Sequence, residues 1–212
     1  MSAKKIAVVC ANGRAGSLIT AEAVERGMDV TVVVRGENRS AAQHVIVKDA
    51  FDVTAEDLAD FDAVVCAFGA WTPETIDGIG DAMIHLGKCL AGTNTQLLIV
   101  GGAGSLFVNP EHTLTVDQGP DFPDDWKPLS ASHGRALAWL RETDDLDWTY
   151  VSPTCDFQAE GERTGAYTLA GEDLTLNAAG ESTVSYADFA IAMVDLAEAG
   201  THRRERVSIV SK

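Results

Sequence analysis

The sequence predicts an α/β fold: a doubly wound parallel sheet of Rossmann type, with a small C-terminal elaboration on the substrate side. Three observations carry that expectation. Short apolar or β-branched runs alternate with helical patterns along the chain, as in a parallel sheet covered on both faces. Residues 5–35 place a strand, a glycine loop, an amphipathic helix and a second strand in order. The 212 residues hold no linker, low-complexity tract or short-period repeat, which suits a single domain spanning 1–212.

The elements follow from local chemistry. Ile6–Ala11 is a continuous apolar run, as expected of a strand buried on both faces. Ala15–Arg26 sets Leu18, Ile19, Ala23 and Val24 on one helical face, and Gly27 stops that helix. Val30–Val34 is a β-branched strand, followed by the polar loop Gly36–Ser40 and a brief strand Val45–Val47. Thr54 and Asp57 have the spacing of a capping box, with Asp in place of Glu, opening a short helix. Ala63–Phe68 is a fourth buried strand, closed by Gly69.

Thr72-Pro73 puts a capping hydroxyl before a proline at the first helical position. Ile76, Ile79, Met83, Leu86 and Leu90 then keep helical spacing. Leu97–Val100 is a fifth strand ending in Gly101-Gly102. The Pro-, Asp- and Gly-rich loop Asn109–Pro128 is long enough to suggest a functional excursion. Leu129–Thr143 reads as a helix, Trp148–Ser152 as a strand closed by Pro153, and Glu160–Asn177 as glycine-punctuated loop and hairpin. Asp188–Ala199 is a last helix, stopped by Gly200, and Arg206–Val210 a last strand.

Composition narrows the function classes. The net charge is −16, from 32 acidic against 16 basic residues. That balance argues against sequence-independent binding to nucleic acid or to anionic lipid and favours solubility. A polyanionic cofactor must then find local positive charge within a negative field. Cys10, Cys66, Cys89 and Cys155 are scattered, with no Cys-x-x-Cys pair and no His at metal-ligand spacing. The expectation is buried free thiols, no metal and a reducing cytoplasm. With only a short polar stretch before the first strand, no secretory leader is expected, and no apolar run reaches membrane-spanning length.

The loop Cys10–Gly16 lies where an apolar strand hands over to a helix, where a dinucleotide pyrophosphate would meet a helix N-terminus. Ala11, Asn12, Gly13, Arg14, Ala15 and Gly16 are therefore candidate cofactor contacts. Gly13 would allow close backbone approach, and Gly16 close packing of helix on sheet. Cys10 stands where the usual pattern has its first glycine. The alternative is a strand–helix turn that uses glycine only for packing.

Arg35 ends the second strand, where NAD-preferring folds place an acidic residue for the ribose 2′-hydroxyl. With Arg14 and Arg39 nearby, guanidinium groups suit a 2′-phosphate, so NADP is expected ahead of NAD. The competing reading makes Arg35 and Arg39 solvated loop charges. Asp49 could accept from the adenine amino group or be an ordinary surface carboxylate. Ala67, Phe68 and Gly69, at the end of the fourth strand, would face the cofactor ribose, although Phe68 equally suits the core. Gly101 and Gly102, after the fifth strand, are further candidate cofactor contacts, and the turn Ser152-Pro153 would pass the nicotinamide. Trp71, Phe107, Trp126 and Phe157 either line a slot for a flat ring or close their loops over core. Arg163 either meets an acidic substrate group or forms a structural ion pair.

Several segments occur in one order across nearly the whole chain: the glycine loop, Val33-Val34-Arg35, residues 48–52 (KDAFD), residues 66–69 (CAFG), residues 100–106 (VGGAGSL), Ser152-Pro153, residues 161–165 (GERTG) and residues 185–188 (SYAD). In these the chain resembles the atypical short-chain dehydrogenase/reductase group of NAD(P)H-flavin reductases, close to NmrA-like and biliverdin-reductase-B-like proteins. The resemblance implies a Rossmann fold and a nicotinamide cofactor. It says less about substrate.

One departure matters. Relatives of the standard type carry a Tyr-x-x-x-Lys pair on the helix after the fifth strand. Here residues 130–137 read SASHGRAL, with neither Tyr nor Lys. Ketone chemistry through that acid/base pair is disfavoured. Hydride transfer to a planar acceptor such as a flavin or quinone needs less protein acid. His133 resembles in position a histidine of the biliverdin-reductase-B-like enzymes and is the candidate catalytic residue, as a donor to the acceptor; a packing or capping histidine is the alternative. A non-catalytic NADP-binding regulator of NmrA-like type, and less favourably a sugar-nucleotide epimerase or dehydratase, are the other expectations. The expected partner is a small molecule, and the expected state is monomer or homodimer.

Overall fold

A computed structural model describes residues 3–212. Its centre is an eight-stranded sheet in the order β3-β2-β1-β4-β5-β6-β10-β8. Seven strands are parallel: β1 (Lys5–Val9), β2 (Asp29–Val34), β3 (His44–Val47), β4 (Ala63–Cys66), β5 (Gln96–Val100), β6 (Trp148–Ser152) and β10 (Glu205–Ser211). Strand β8 (Tyr167–Ala170) adds antiparallel to β10 at one edge. This is the doubly wound order expected of a Rossmann sheet, and it reverses between β1 and β4. The carboxyl ends of those two strands form the crevice in which such sheets bind ligands.

The apolar runs read as strands are buried on both faces because helices cover both sides. Ile6, Val8, Val30 and Val32 face one core with Ile19, Ala23, Phe189 and Met193, from α1 (Arg14–Glu25) and α4 (Tyr186–Ala199). Ala7, Val9, Val64 and Ile99 face the other with Ile79, Met83, Leu86, Leu137 and Leu140, from α2 (Asp77–Leu90) and α3 (Lys127–Glu142). Each fully buried Val, Leu, Ile, Met or Phe side chain among these contributes about 1.5–3 kcal/mol relative to exposure. The α2–α3 contact is close: a Cβ on Gly87 would lie 2.6 Å from the Trp139 ring. Among the described residues no helix is long and apolar enough to cross a membrane.

Several expectations are corrected. Thr72-Pro73 does not open α2 directly; Thr75 and Ile76 N–H groups turn back onto the Thr72 carbonyl, and regular helix begins at Asp77. Helix α3 starts two residues before Leu129, with Pro128 in its first turn. The segment read as a hairpin places Tyr167–Ala170 against distant β10 instead. Short strands β7 (Asp156–Gln158) and β9 (Thr183–Ser185) form a separate parallel pair. Of the four free thiols only Cys66 is fully buried; Cys10 and Cys89 are half-buried and Cys155 is exposed. The capping box at Thr54 is present, with Asp57 Oδ2 accepting from Thr54 N–H at 2.8 Å, ahead of a single 3-10 turn, Glu56–Leu58.

Candidate functional site

The glycine loop sits at the crevice because β1 and α1 meet there at very short range. A Cβ on Gly16 would lie 2.6 Å from the Cys10 carbonyl oxygen and 3.0 Å from the Ala11 Cα, so only glycine lets the helix come this near. Gly13 caps α1 without a side-chain hydrogen bond, and the first turn of the twelve-residue helix holds no acidic residue. The N–H groups of Arg14, Ala15 and Gly16 therefore stand without intrahelical partners at the positive end of the helix dipole. Gly13 also faces the end of β4, 3.9 Å from its Cβ position to the Ala67 carbonyl oxygen.

Cys10 occupies the first glycine position and adopts the conformation glycine would, with φ 65°. Burial, with Asp49 adding to it, pushes its thiol up to about 11, so it stays protonated near neutrality. Asn12 ties the next loop to this one: its side-chain amide donates to the Glu37 carbonyl at 2.9 Å and its oxygen accepts from Arg39 N–H at 3.2 Å.

The distribution of arginines picks out the same corner. Arg26, Arg135, Arg141, Arg163, Arg203, Arg204 and Arg206 each pair with a carboxylate. The chain's other three arginines are Arg14, Arg35 and Arg39. All three are exposed, and among the described residues their single carboxylate approach is Arg35 Nε to Asp49 at 4.0 Å. In a strongly acidic chain, the guanidinium groups left without close partners gather around the glycine loop. Asp49 accepts from Phe51 N–H at 3.1 Å to cap the 3-10 turn Ala50–Asp52, so one of its oxygens already has a structural task.

At the opposite end of the crevice, Gly101 and Gly102 leave β5 against Tyr150 and His133. A Cβ on Gly101 would lie 2.3 Å from Tyr150 Cε1, and one on Gly102 would lie 3.1 Å from the His133 ring. Tyr150 is wholly buried, and its hydroxyl accepts from Gly102 N–H at 2.9 Å and lies 3.1 Å from His133 Nδ1. Burial holds the half-buried His133 down to about 4, so the imidazole is neutral near pH 7. Ser152 and Pro153 are buried, and Ser152 Oγ has no hydrogen-bond partner among the described residues.

The remaining candidates separate. Phe68 packs edge-on against Phe51, with ring centroids 5.6 Å apart, beside the α2–α3 core; Ala67 is buried and Gly69 exposed at the mouth. Phe157 packs against the core, its ring tilted 31° over Tyr186 with centroids 3.8 Å apart, and 4.9 Å from the Phe189 ring. Phe107 stacks on His112 at 4.3 Å, beside a shallow groove with Val108, Leu174 and Leu176. Trp71 and Trp126 stay largely exposed, at 69% and 53%. Arg163 forms the structural pair, 2.8 Å from Glu22. The segments 161–165 and 185–188 meet there: buried Asp188 accepts from Thr164 N–H, Thr164 Oγ1–H and Gly165 N–H at 3.0, 2.6 and 2.9 Å. Sequence reading missed both Tyr150 and this clamp, because a strand tyrosine and a helix-start aspartate carry no signal of their distant partners.

The excursion 109–128 is pinned rather than loose. Asp117 accepts from Ser130 Oγ–H at 2.6 Å, and its N–H reaches the Gly104 carbonyl at 2.9 Å.

This strand order, with a bare helix N-terminus and free guanidinium groups at the reversal point, defines a Rossmann dinucleotide-binding protein. The sequence model of the NAD(P)H-binding family matches residues 10–199; the chain belongs to that family, in its atypical short-chain dehydrogenase/reductase-like group. It is 41% identical to the uncharacterized protein YwnB of Bacillus subtilis (strain 168), over 98% of this chain and 99% of that protein. A solved structure named a putative NADH-flavin reductase, from Streptococcus pneumoniae TIGR4, is 48% identical with TM-score 0.96, covering 99% of this chain and 100% of that one. One named a putative epimerase, from Bacteroides thetaiotaomicron, is 34% identical with TM-score 0.84, covering 99% and 98%.

Proposed function

We propose that the chain is an NADPH-preferring reductase that delivers hydride to a planar acceptor of flavin or quinone type. The observation that carries the reading is at the Gly101–Gly102 edge, where α3 presents one neutral histidine and the Tyr-x-x-x-Lys pair of ketone reductases is missing. When bound, the reduced nicotinamide supplies the hydride, and the acceptor completes its two-electron reduction with a proton from water. In this reading Ala11, Asn12, Gly13, Arg14, Ala15 and Gly16 hold the pyrophosphate, and Arg35 with Arg14 the 2′-phosphate. Asp49 and residues 67–69 flank the adenosine half. Gly101, Gly102, Ser152 and Pro153 offer their backbone to the nicotinamide half, and His133 donates a hydrogen bond to the acceptor.

The name of the Streptococcus pneumoniae relative supports a flavin acceptor and carries NADH rather than NADPH. The three arginines without close carboxylate partners support NADPH for this chain. Its four free thiols suit a reducing cytoplasm. The same missing pair also fits an NADP-binding regulator and speaks against epimerase chemistry.

The deciding experiment is steady-state oxidation of NADPH with riboflavin, FMN and small quinones. Saturable turnover is expected with at least one of them. Tight NADP binding with no turnover across the panel would replace the reductase with the regulator.

A further inference from the structure

We propose that Tyr150 is a positioning residue: its hydroxyl fixes His133 as the tautomer protonated on Nε2, so that the ring offers a donor to the acceptor molecule. The inference rests on the reductase reading for its purpose, and on hydrogen-bond geometry alone for its content.

A phenol has a single proton to donate. Tyr150 Oη already accepts from Gly102 N–H at 2.9 Å, so its own proton must go elsewhere. The partner in reach is His133 Nδ1, at 3.1 Å. A nitrogen that accepts cannot carry a proton, which leaves the imidazole proton on Nε2. Nε2 has no hydrogen-bond partner among the described residues.

The arrangement is held on every side. Tyr150 is wholly buried in the middle of β6, with Arg206 of β10 directly beside it in register. Burial pushes its hydroxyl well above the usual phenol range, although the Gly102 N–H, Arg206 and Arg141 pull the other way, so it remains a donor. Gly101 is glycine because a Cβ there would strike the Tyr150 ring, and Gly102 because a Cβ would press on the His133 ring. The glycine pair therefore serves the tyrosine–histidine contact as well as any cofactor. Nothing in the local sequence marks Tyr150 for this role, since it lies in β6, away from the helix α3 that carries the histidine.

The test is the tautomer itself. Long-range nitrogen–proton NMR of histidine-labelled protein, with His133→Gln to assign the signal, should show His133 protonated on Nε2 between pH 6 and 8 (roughly two units above its own titration). Tyr150→Phe keeps the buried ring and removes only the hydroxyl, and should give a mixture with Nδ1-protonated imidazole. An Nδ1-protonated wild type, or a Tyr150→Phe spectrum unchanged at His133, would overturn the proposal. In NADPH turnover with FMN, Tyr150→Phe should lower kcat about tenfold, the equivalent of one hydrogen bond, with the KM for NADPH unchanged. A wild type inactive with every acceptor sinks the reductase reading, while the NMR result stands or falls by itself.

Discussion

Arg35 Nε stands 4.0 Å from the Asp49 carboxylate, and the Arg35 side chain is 83% exposed. A contact this long and this open contributes little, so the guanidinium is free to take a stronger anion. Arg35→Glu should weaken NADP binding about 10–100-fold, the loss of one or two charge-assisted hydrogen bonds. NAD binding should change by no more than about threefold, since NAD lacks the phosphate. Calorimetric titration with both dinucleotides checks this; equal weakening of the two would remove Arg35 from cofactor selection.

Cys10 tests whether the glycine-loop backbone is strained. Its φ of 65° disfavours any residue with a Cβ, and a β-branched one most. Cys10→Val should be less stable than Cys10→Gly by about 1–2 kcal/mol, visible as a few degrees in thermal melts. Equal melting temperatures for the two variants would show that the loop relaxes.

Gly101 and Gly134 make a paired test of packing. A Cβ on Gly101 meets Tyr150 at 2.3 Å, whereas one on Gly134, inside α3, meets nothing within 4 Å. Gly101→Ala should cost about 1–3 kcal/mol, and Gly134→Ala should gain up to about 1 kcal/mol from helix propensity. Urea unfolding gives both values, and a neutral Gly101→Ala would mean that Tyr150 can yield.

His133 should make stability depend on acid. Its folded value, about 4, lies below the ordinary histidine value of 6.5, so the unfolded chain binds the proton first as pH falls. The contribution is complete above pH 6.5 and is lost progressively between 6.5 and 4. At pH 5 it amounts to a loss on the order of 1–2 kcal/mol, which His133→Gln should remove. Parallel denaturation curves at pH 7.5 and 5 test it; an identical acid loss in both proteins would mean that folding leaves the titration of this imidazole unchanged.

Asp188 anchors the segment around Thr164. Asp188→Ala strands two backbone N–H groups and a hydroxyl and should cost about 2–4 kcal/mol. Limited proteolysis should then cut near residue 164 before anywhere else; unchanged cleavage would mean that other contacts hold the segment.

What could be read before folding was whatever is encoded locally. Trp148–Ser152 is delimited to the residue because its apolar run ends at Pro153, and the unit from Lys5 to Val34 follows from adjacent signals. Strand β8 lies inside a segment that reads only as loop and hairpin, and its true partner β10 was illegible because the pairing spans about forty residues of chain. The arginine corner could be suspected at Arg35, yet its meaning appears only when the other seven arginines are seen to be paired. Phe157 and Phe107 carried no mark of whether their rings face core, groove or cofactor.

That corner has a kinetic consequence. At 0.01 M salt, a dinucleotide about 30 Å away would feel the repulsion of the whole −16 molecule before it feels three arginines. At physiological ionic strength screening shortens that reach to about 8 Å, leaving the nearby guanidinium groups as the field that counts. Capture of the cofactor should therefore quicken, not slow, as salt is first added, the reverse of what a basic protein shows toward an anion. In stopped-flow the turnover point of that rise marks where screening begins to erode the arginines themselves.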